Sequence, residues 1–119
     1  MKFRELPACY RQYVAHLNAP NAIRDATANE KLFEIAACGR LSINLDSPDV
    51  RSCYGEGEIT TVDSLAALEA AAEQVLRDPD AALAAGERAR RRTAVEHLWD
   101  HRVAAMFPAG AAASAADVA

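Results

Sequence analysis

The sequence predicts an α/β fold: a partial Rossmann-like three-layer unit in which about three parallel strands are followed by C-terminal helices. Short apolar runs bounded by turn-forming residues occur at 13–17, 41–45 and 58–62, and such runs are typical of strands. A helical pattern separates the first two runs, and a helical crossover favours parallel pairing. Beyond residue 63 the apolar residues recur at helical spacing, which predicts helices for the rest of the fold.

The segments around the first two strands are a helix, a loop and a second helix. Residues 4–12 predict a short helix, and 18–26 predict a loop because turn formers dominate there. Thr27 followed by Glu30 is a capping-box pattern that begins a helix over 28–38. A glycine directly after it supplies the C-terminal stop.

The second half of the chain predicts a loop and then a run of helices. Residues 46–57 contain a proline and two glycines, which favours a loop with one turn around 50–54. Asp63 or Ser64 caps the next helix, and Asp78 followed by Pro79 begins another that ends near Val95. A final helix is expected over 98–107. These helices complete an expected domain over 1–107, and the Ala-rich tail 108–119 is expected to be disordered.

Length, charge and cysteine content narrow the classes of function that this protein could have. The chain has 119 residues, which suits one domain, and its formal charge of -4 offers no field for nucleic acid or an anionic membrane. No run is long enough for a membrane span, and the first residues lack a signal-peptide pattern, so we expect a cytoplasmic protein. Cys9, Cys38 and Cys53 form neither an even set nor a C-x-x-C pair, which argues against disulfides and structural zinc.

The most informative segment is the helix that starts near Asn29, after the carboxyl end of the first strand and its loop. Backbone N–H groups of its first turn, near Asn29, Glu30 and Lys31, are suited to hold a phosphate. The Lys31 ammonium would add a point charge, and the Glu34 carboxylate would accept hydrogen bonds from a ribose diol. The alternative is that Glu34 belongs to a solvated helix face.

Several pieces of this region follow a family pattern in order and spacing. They are Asn29, Lys31, Phe33-Glu34, Ala37-Cys38-Gly39, Gly57-Glu58-Ile59, and His97 with Arg102. Together they resemble the C-terminal half of GT-B glycosyltransferases of group 1, in particular the branch of spore-maturation glycosyltransferase-like proteins. The resemblance extends over roughly residues 5–107. Residues 1–107 are therefore expected to be a partial GT-B C-terminal domain.

The resemblance implies a nucleotide-sugar-dependent transferase in which Glu34 binds the donor ribose and residues 28–31 lie near the diphosphate and sugar. The nucleotide sugar is a substrate, and no further cofactor and no metal is implied. Relatives often carry a glutamate eight positions before Glu34, where this chain has Ala26. The acceptor-binding site and the catalytic base would belong to another domain or chain. We therefore expect this chain alone to be inactive.

A second function class is a non-catalytic interaction module. Three strands with exposed edges are few for such a sheet, so a homodimer or partner contact through a sheet edge or an apolar helix is the alternative. His97 and His101 are four apart but lack the full zinc-ligand pattern, so packing and surface roles are favoured. Trp99 and Phe107 are expected in the buried stripe of the last helix, although the resemblance implies that this helix reaches toward the N-terminal domain, which would leave part of it uncovered here. The arginines at 88 and 90–92 are expected on a solvated helix face.

Overall fold

Three parallel strands form one open sheet in the computed structural model, which describes residues 2–19 and 28–107. The strands are β1 (Ala15–Asn18), β2 (Leu41–Leu45) and β3 (Thr60–Val62), paired in the order β1-β2-β3. With its helices the sheet makes an α/β, partial Rossmann-like unit, so the predicted fold class is confirmed. The parallel pairing follows from the helical connection between β1 and β2, which returns the chain to the same end of the sheet.

Apart from the helix at Pro48–Cys53, the described helices occur close to the predicted places. They are α1 (Leu6–Arg11), α2 (Glu30–Ala37), α3 (Pro48–Cys53), α4 (Leu65–Arg77), α5 (Pro79–Glu96) and α6 (Trp99–Met106), with a 3-10 turn at Phe3–Glu5. Helix α2 begins later than expected because Asn29 caps it, and Thr27 lies outside the described residues. Of the predicted loop at 18–26, Asn18 is the last residue of β1, and residues 20–26 lie outside the described part of the chain, as does the predicted tail at 108–119.

The central strand β2 is buried along most of its length. Leu41 and Ile43 are buried, as an internal strand requires, but so are Ser42 and Asn44, each only 1% exposed. Polar side chains are stable at such positions when they are hydrogen-bonded. Asn44 meets this condition, because its amide donates to Ser42 Oγ at 2.9 Å and to the Thr60 carbonyl at 3.3 Å.

Helix α3 corrects the prediction of a loop with one turn over 46–57. Ser47 is its N-cap and accepts a hydrogen bond from Val50 N at 3.1 Å, while Pro48 occupies the first turn. Both are ordinary helix-start signals, but a proline followed by two glycines is also typical of a loop. The helix and the residue after it place Val50 and Tyr54 in a core cluster between α2, α3 and α5; its buried members are Leu32, Ala36, Val50, Tyr54 and Ala89.

A second core cluster joins the start of the sheet to α5. Its buried members are Leu41, Ala82 and Ala85, with Val14, Ala15 and Val75 packed against them. Small residues on α5 let the helix come close to its neighbours. At Gly86 there is no room for a Cβ, because the helix faces the backbone of Gly39 and Arg40 in the turn between α2 and β2.

Helix α6 carries large apolar side chains that the rest of the described chain leaves exposed. Trp99 is 81% exposed, and Val103, Met106 and Phe107 are each more than half exposed. The expectation that Trp99 and Phe107 lie in a buried stripe is therefore wrong, because no described element packs on that side of α6. Within residues 2–19 and 28–107, no helix is both long and apolar enough to span a membrane.

Candidate functional site

A groove of about 580 Å³ lies between the start of α2 and the start of α6. It is lined by Phe3, Ala28, Asn29, Glu30, Phe33, Glu34, His97, Trp99 and Arg102. Four of the five predicted site residues, Ala28, Asn29, Glu30 and Glu34, therefore share one concave surface. The fifth, Lys31, is exposed and is not part of this lining.

Three asparagines fix the position of the α2 start relative to the sheet. The Asn18 amide, at the end of β1, donates to Asn29 Oδ1 and to Asn44 Oδ1, both at 2.9 Å. The Asn29 amide donates back to Asn18 Oδ1 at 3.1 Å. The bonds run from Asn44 on β2 through Asn18 on β1 to Asn29, so they tie the groove wall at Asn29 to the sheet. This network was not predicted from the sequence, although the asparagines near the ends of β1 and β2 were a visible signal.

Some of the backbone donors at the start of α2 are already used within the protein. The Asn29 side chain accepts from Leu32 N at 3.1 Å, which is its capping bond. The Ala28 N–H donates to Asp49 Oδ2 at 2.8 Å. The first-turn N–H groups of Glu30 and Lys31 have no intrahelical acceptor, as in any α-helix. An anion at this terminus would meet those two N–H groups, with the Asp49 carboxylate near the entrance to the helix.

Glu34 is half-buried and is held by a tyrosine. The Tyr10 hydroxyl donates to Glu34 Oε2 at 2.9 Å, and burial together with this carboxylate raises the pKa of Tyr10 to about 12. His16 supports Tyr10 through a 2.7 Å hydrogen bond to its carbonyl oxygen and an edge-on ring contact. Because a carboxylate has two oxygens, Oε1 can still accept from a ligand hydroxyl while Oε2 stays bound to Tyr10.

Arg102 and His97 form the opposite side of the groove. The Arg102 guanidinium lies over the Phe33 ring, with 5.4 Å between its central carbon and the ring centroid. His97 Nε2 is 2.6 Å from the Cys53 carbonyl oxygen, and Arg102 Nη2 is 3.2 Å from His97 Nδ1. The carbonyl oxygen accepts only, so Nε2 carries the proton and Nδ1 accepts from Arg102. Both residues belong to the family pattern in the sequence, but neither was predicted as a site residue.

Comparisons with known proteins indicate the family to which the chain belongs. A family model described as glycosyl transferase-like matches residues 1–107. The chain belongs to this glycosyl transferase-like family. A search of curated proteins and a search of solved structures each found no match.

The Gly57-Glu58-Ile59 part of the family pattern also lies outside the groove lining of this glycosyl transferase-like domain. Glu58, in the Gly57-Glu58-Ile59 segment, accepts from Arg92 Nε at 2.6 Å and from Gly55 N at 2.8 Å. Burial raises the pKa of this carboxyl, but the hydrogen bonds from Arg92 and Gly55 more than offset it, so the pKa is lowered. Glu58 therefore ties the segment before β3 to helix α5.

Two other side chains with reactive groups, those of His101 and Cys38, have structural roles in the glycosyl transferase-like domain. His101 Nδ1 accepts from the Leu98 backbone N–H at 3.0 Å, so its ring caps α6. Burial raises the pKa of the Cys38 thiol, which lowers its reactivity. In the described part of the chain, no group of three or more His, Cys, Asp or Glu side chains is arranged to hold a metal ion.

Proposed function

We propose that the groove binds the nucleoside diphosphate part of a nucleotide-sugar donor, and that the domain is the C-terminal, donor-binding part of a GT-B glycosyltransferase of the spore-maturation branch. The observation that supports this is the position of Glu34 in the groove, on the same concave surface as Ala28, Asn29 and Glu30. These are residues for which the family resemblance implies donor contact. The size of the groove also suits a ligand of this class.

The chemistry divides between the two ends of a nucleoside diphosphate. A ribose diol donates hydrogen bonds, and the Glu34 carboxylate accepts them while Tyr10 holds its other oxygen. A diphosphate accepts hydrogen bonds, and the first-turn N–H groups of α2 donate them with the favourable end of the helix dipole behind them. Stabilising the diphosphate as a leaving group is the contribution that such donors make to glycosyl transfer.

The acceptor and the catalytic base come from another domain or chain in this proposal. A nucleotide site at the edge of an open parallel sheet has a second wall, which the described residues do not contain. We therefore expect the isolated chain to bind a donor nucleotide without transferring its sugar.

Thermal unfolding with UDP, GDP, ADP and TDP tests the proposal. At about one hundred times its dissociation constant, a bound nucleotide adds roughly 2.7 kcal/mol to stability, which is several degrees of melting temperature. We expect a shift with one base and its loss in Glu34→Ala. Because this substitution also removes the Tyr10 bond, Glu34→Gln, which keeps an acceptor for Tyr10, serves as the second variant. Glu69→Ala, at an exposed position of α4, controls for loss of a carboxylate.

For each variant, the melting temperature with nucleotide is compared with that of the same variant without nucleotide. A change in the variant's intrinsic stability therefore does not affect the result. A cooperatively folded wild-type chain that shifts with none of the four nucleotides would contradict the proposal. That result would favour the interaction module, which needs neither Glu34 nor a nucleotide.

A further inference from the structure

The groove contains one cation whose role neither the sequence nor the family comparison assigns. Among its described lining residues, Arg102 has the only guanidinium or ammonium group, opposite the carboxylates of Glu30 and Glu34. Lys31, the cation expected at the site, lies outside the lining. A diphosphate in the groove therefore needs a charge partner, and Arg102 is the side chain placed to be one.

We propose that Arg102 binds the diphosphate of the nucleotide donor, and that His97 and Phe33 position its guanidinium for this purpose. The inference rests on the proposed function and deepens it. It makes the start of α6 part of the donor site, across the groove from the start of α2.

The positioning of Arg102 is built from two different contacts. The cation–π contact with Phe33 holds the guanidinium against the ring on one side. The bond to His97 Nδ1 fixes one of the five N–H donors, and His97 in turn is held by the Cys53 carbonyl. The remaining donors keep the planar fork that matches two oxygens of a phosphate. An arginine held in this way loses little conformational freedom when the anion binds.

The surroundings of α2 explain why a side-chain cation is needed there. Asp49 accepts from the Ala28 N–H, so one donor near the helix start is used and a negative charge stands beside it. Asn29 is occupied by its capping bond and by Asn18. The first-turn N–H groups alone would face a doubly charged ligand beside carboxylates, and Arg102 offsets that repulsion.

Isothermal titration calorimetry with three probes tests the inference: the nucleoside diphosphate that stabilises the wild-type chain, the matching nucleoside, and inorganic pyrophosphate. We expect Arg102→Gln to weaken the diphosphate and pyrophosphate by about tenfold or more and to leave nucleoside affinity unchanged. Arg102→Lys, which keeps the charge but not the fork, should recover part of the loss. Arg77→Gln, an exposed arginine on α4, should match wild type for all three probes.

His97→Leu distinguishes positioning from a structural role. Loss of positioning lowers affinity for the phosphate-containing probes only, whereas general damage to the fold lowers affinity for the nucleoside as well. We expect the first pattern, and the second would refute the positioning role of His97.

The two proposals fail differently. If the wild-type chain binds a nucleotide through Glu34 and Arg102→Gln binds it equally well, the proposed function stands and this inference is wrong. If no nucleotide binds but pyrophosphate does, and Arg102→Gln abolishes it, the anion site is supported while the nucleotide function fails. If wild type binds neither nucleotide nor pyrophosphate, both proposals are refuted.

Discussion

Replacing Gly86 by alanine tests the close packing of α5 against the turn between α2 and β2. Gly86 lies inside helix α5, where the Cβ of an alanine would stand 2.5 Å from the Gly39 carbonyl oxygen. The same Cβ would stand 2.7 Å and 2.8 Å from the carbonyl carbon and Cα of Arg40. All three atoms are backbone, so a change of side-chain rotamer cannot relieve the overlap.

The sign of the effect is decided by two opposing contributions. Alanine in a helix interior is more favourable than glycine by about 1 kcal/mol. Forcing an extra carbon into a closely packed contact costs roughly 1–3 kcal/mol, and rigid backbone neighbours place Gly86→Ala at the upper end of that range. We expect a net loss of about 2 kcal/mol in the free energy of unfolding, or roughly 8–16 °C in melting temperature.

Urea unfolding followed by circular dichroism measures this loss. Ala84→Gly, at an exposed position of the same helix, is the matched control and should lose about 1 kcal/mol through helix propensity alone. A Gly86→Ala chain that is as stable as wild type, or more stable, would show that α5 does not pack against the turn between α2 and β2 as described.

Two further predictions concern pH. Burial raises the pKa of Tyr54 to about 12 from 10.0, so the unfolded chain releases this proton first and stability should fall as pH rises between these values. Tyr54→Phe should make that fall less steep in unfolding titrations, and it removes the 2.7 Å bond to Thr93, at a cost of about 1 kcal/mol at neutral pH. Hydrogen bonds from Arg92 and Gly55 lower the pKa of Glu58, so its stabilising effect is present at neutral pH and is lost as pH falls through the folded-state pKa. Glu58→Gln should therefore cost about 1–2 kcal/mol at neutral pH, and its stability curve should converge with that of wild type in acid. An unchanged alkaline slope in Tyr54→Phe, or a gap that persists in acid for Glu58→Gln, would contradict these assignments.

Local signals in the sequence were sufficient for most of the elements. The caps at Ser64 and Asp78 start α4 and α5 as predicted, because a side-chain oxygen that accepts a first-turn N–H acts over three residues and needs no tertiary partner. Helix α3 shows the limit of this reasoning. Its own cap at Ser47 is equally local, but six residues are too few to show a helical period.

Part of the candidate site was also predictable from the sequence. Glu34 and the start of α2 were identified because a helix that follows the carboxyl end of a parallel strand is a common ligand site. Whether those residues contact a donor stays a prediction. Lys31 was placed with them by proximity in sequence, and the structure puts it outside the groove because its side chain leaves the helix on another face.

The amino-acid sequence by itself determined the α/β class, the parallel order of the elements and the helix that carries Glu34, since periodicity and caps depend on neighbours along the chain. Only the tertiary structure decided which distant residues meet. The bonds among Asn18, Asn29 and Asn44, and the approach of Arg102 to Phe33, join segments far apart in sequence. No local spacing encodes such contacts, because they depend on how the sheet and helices pack together.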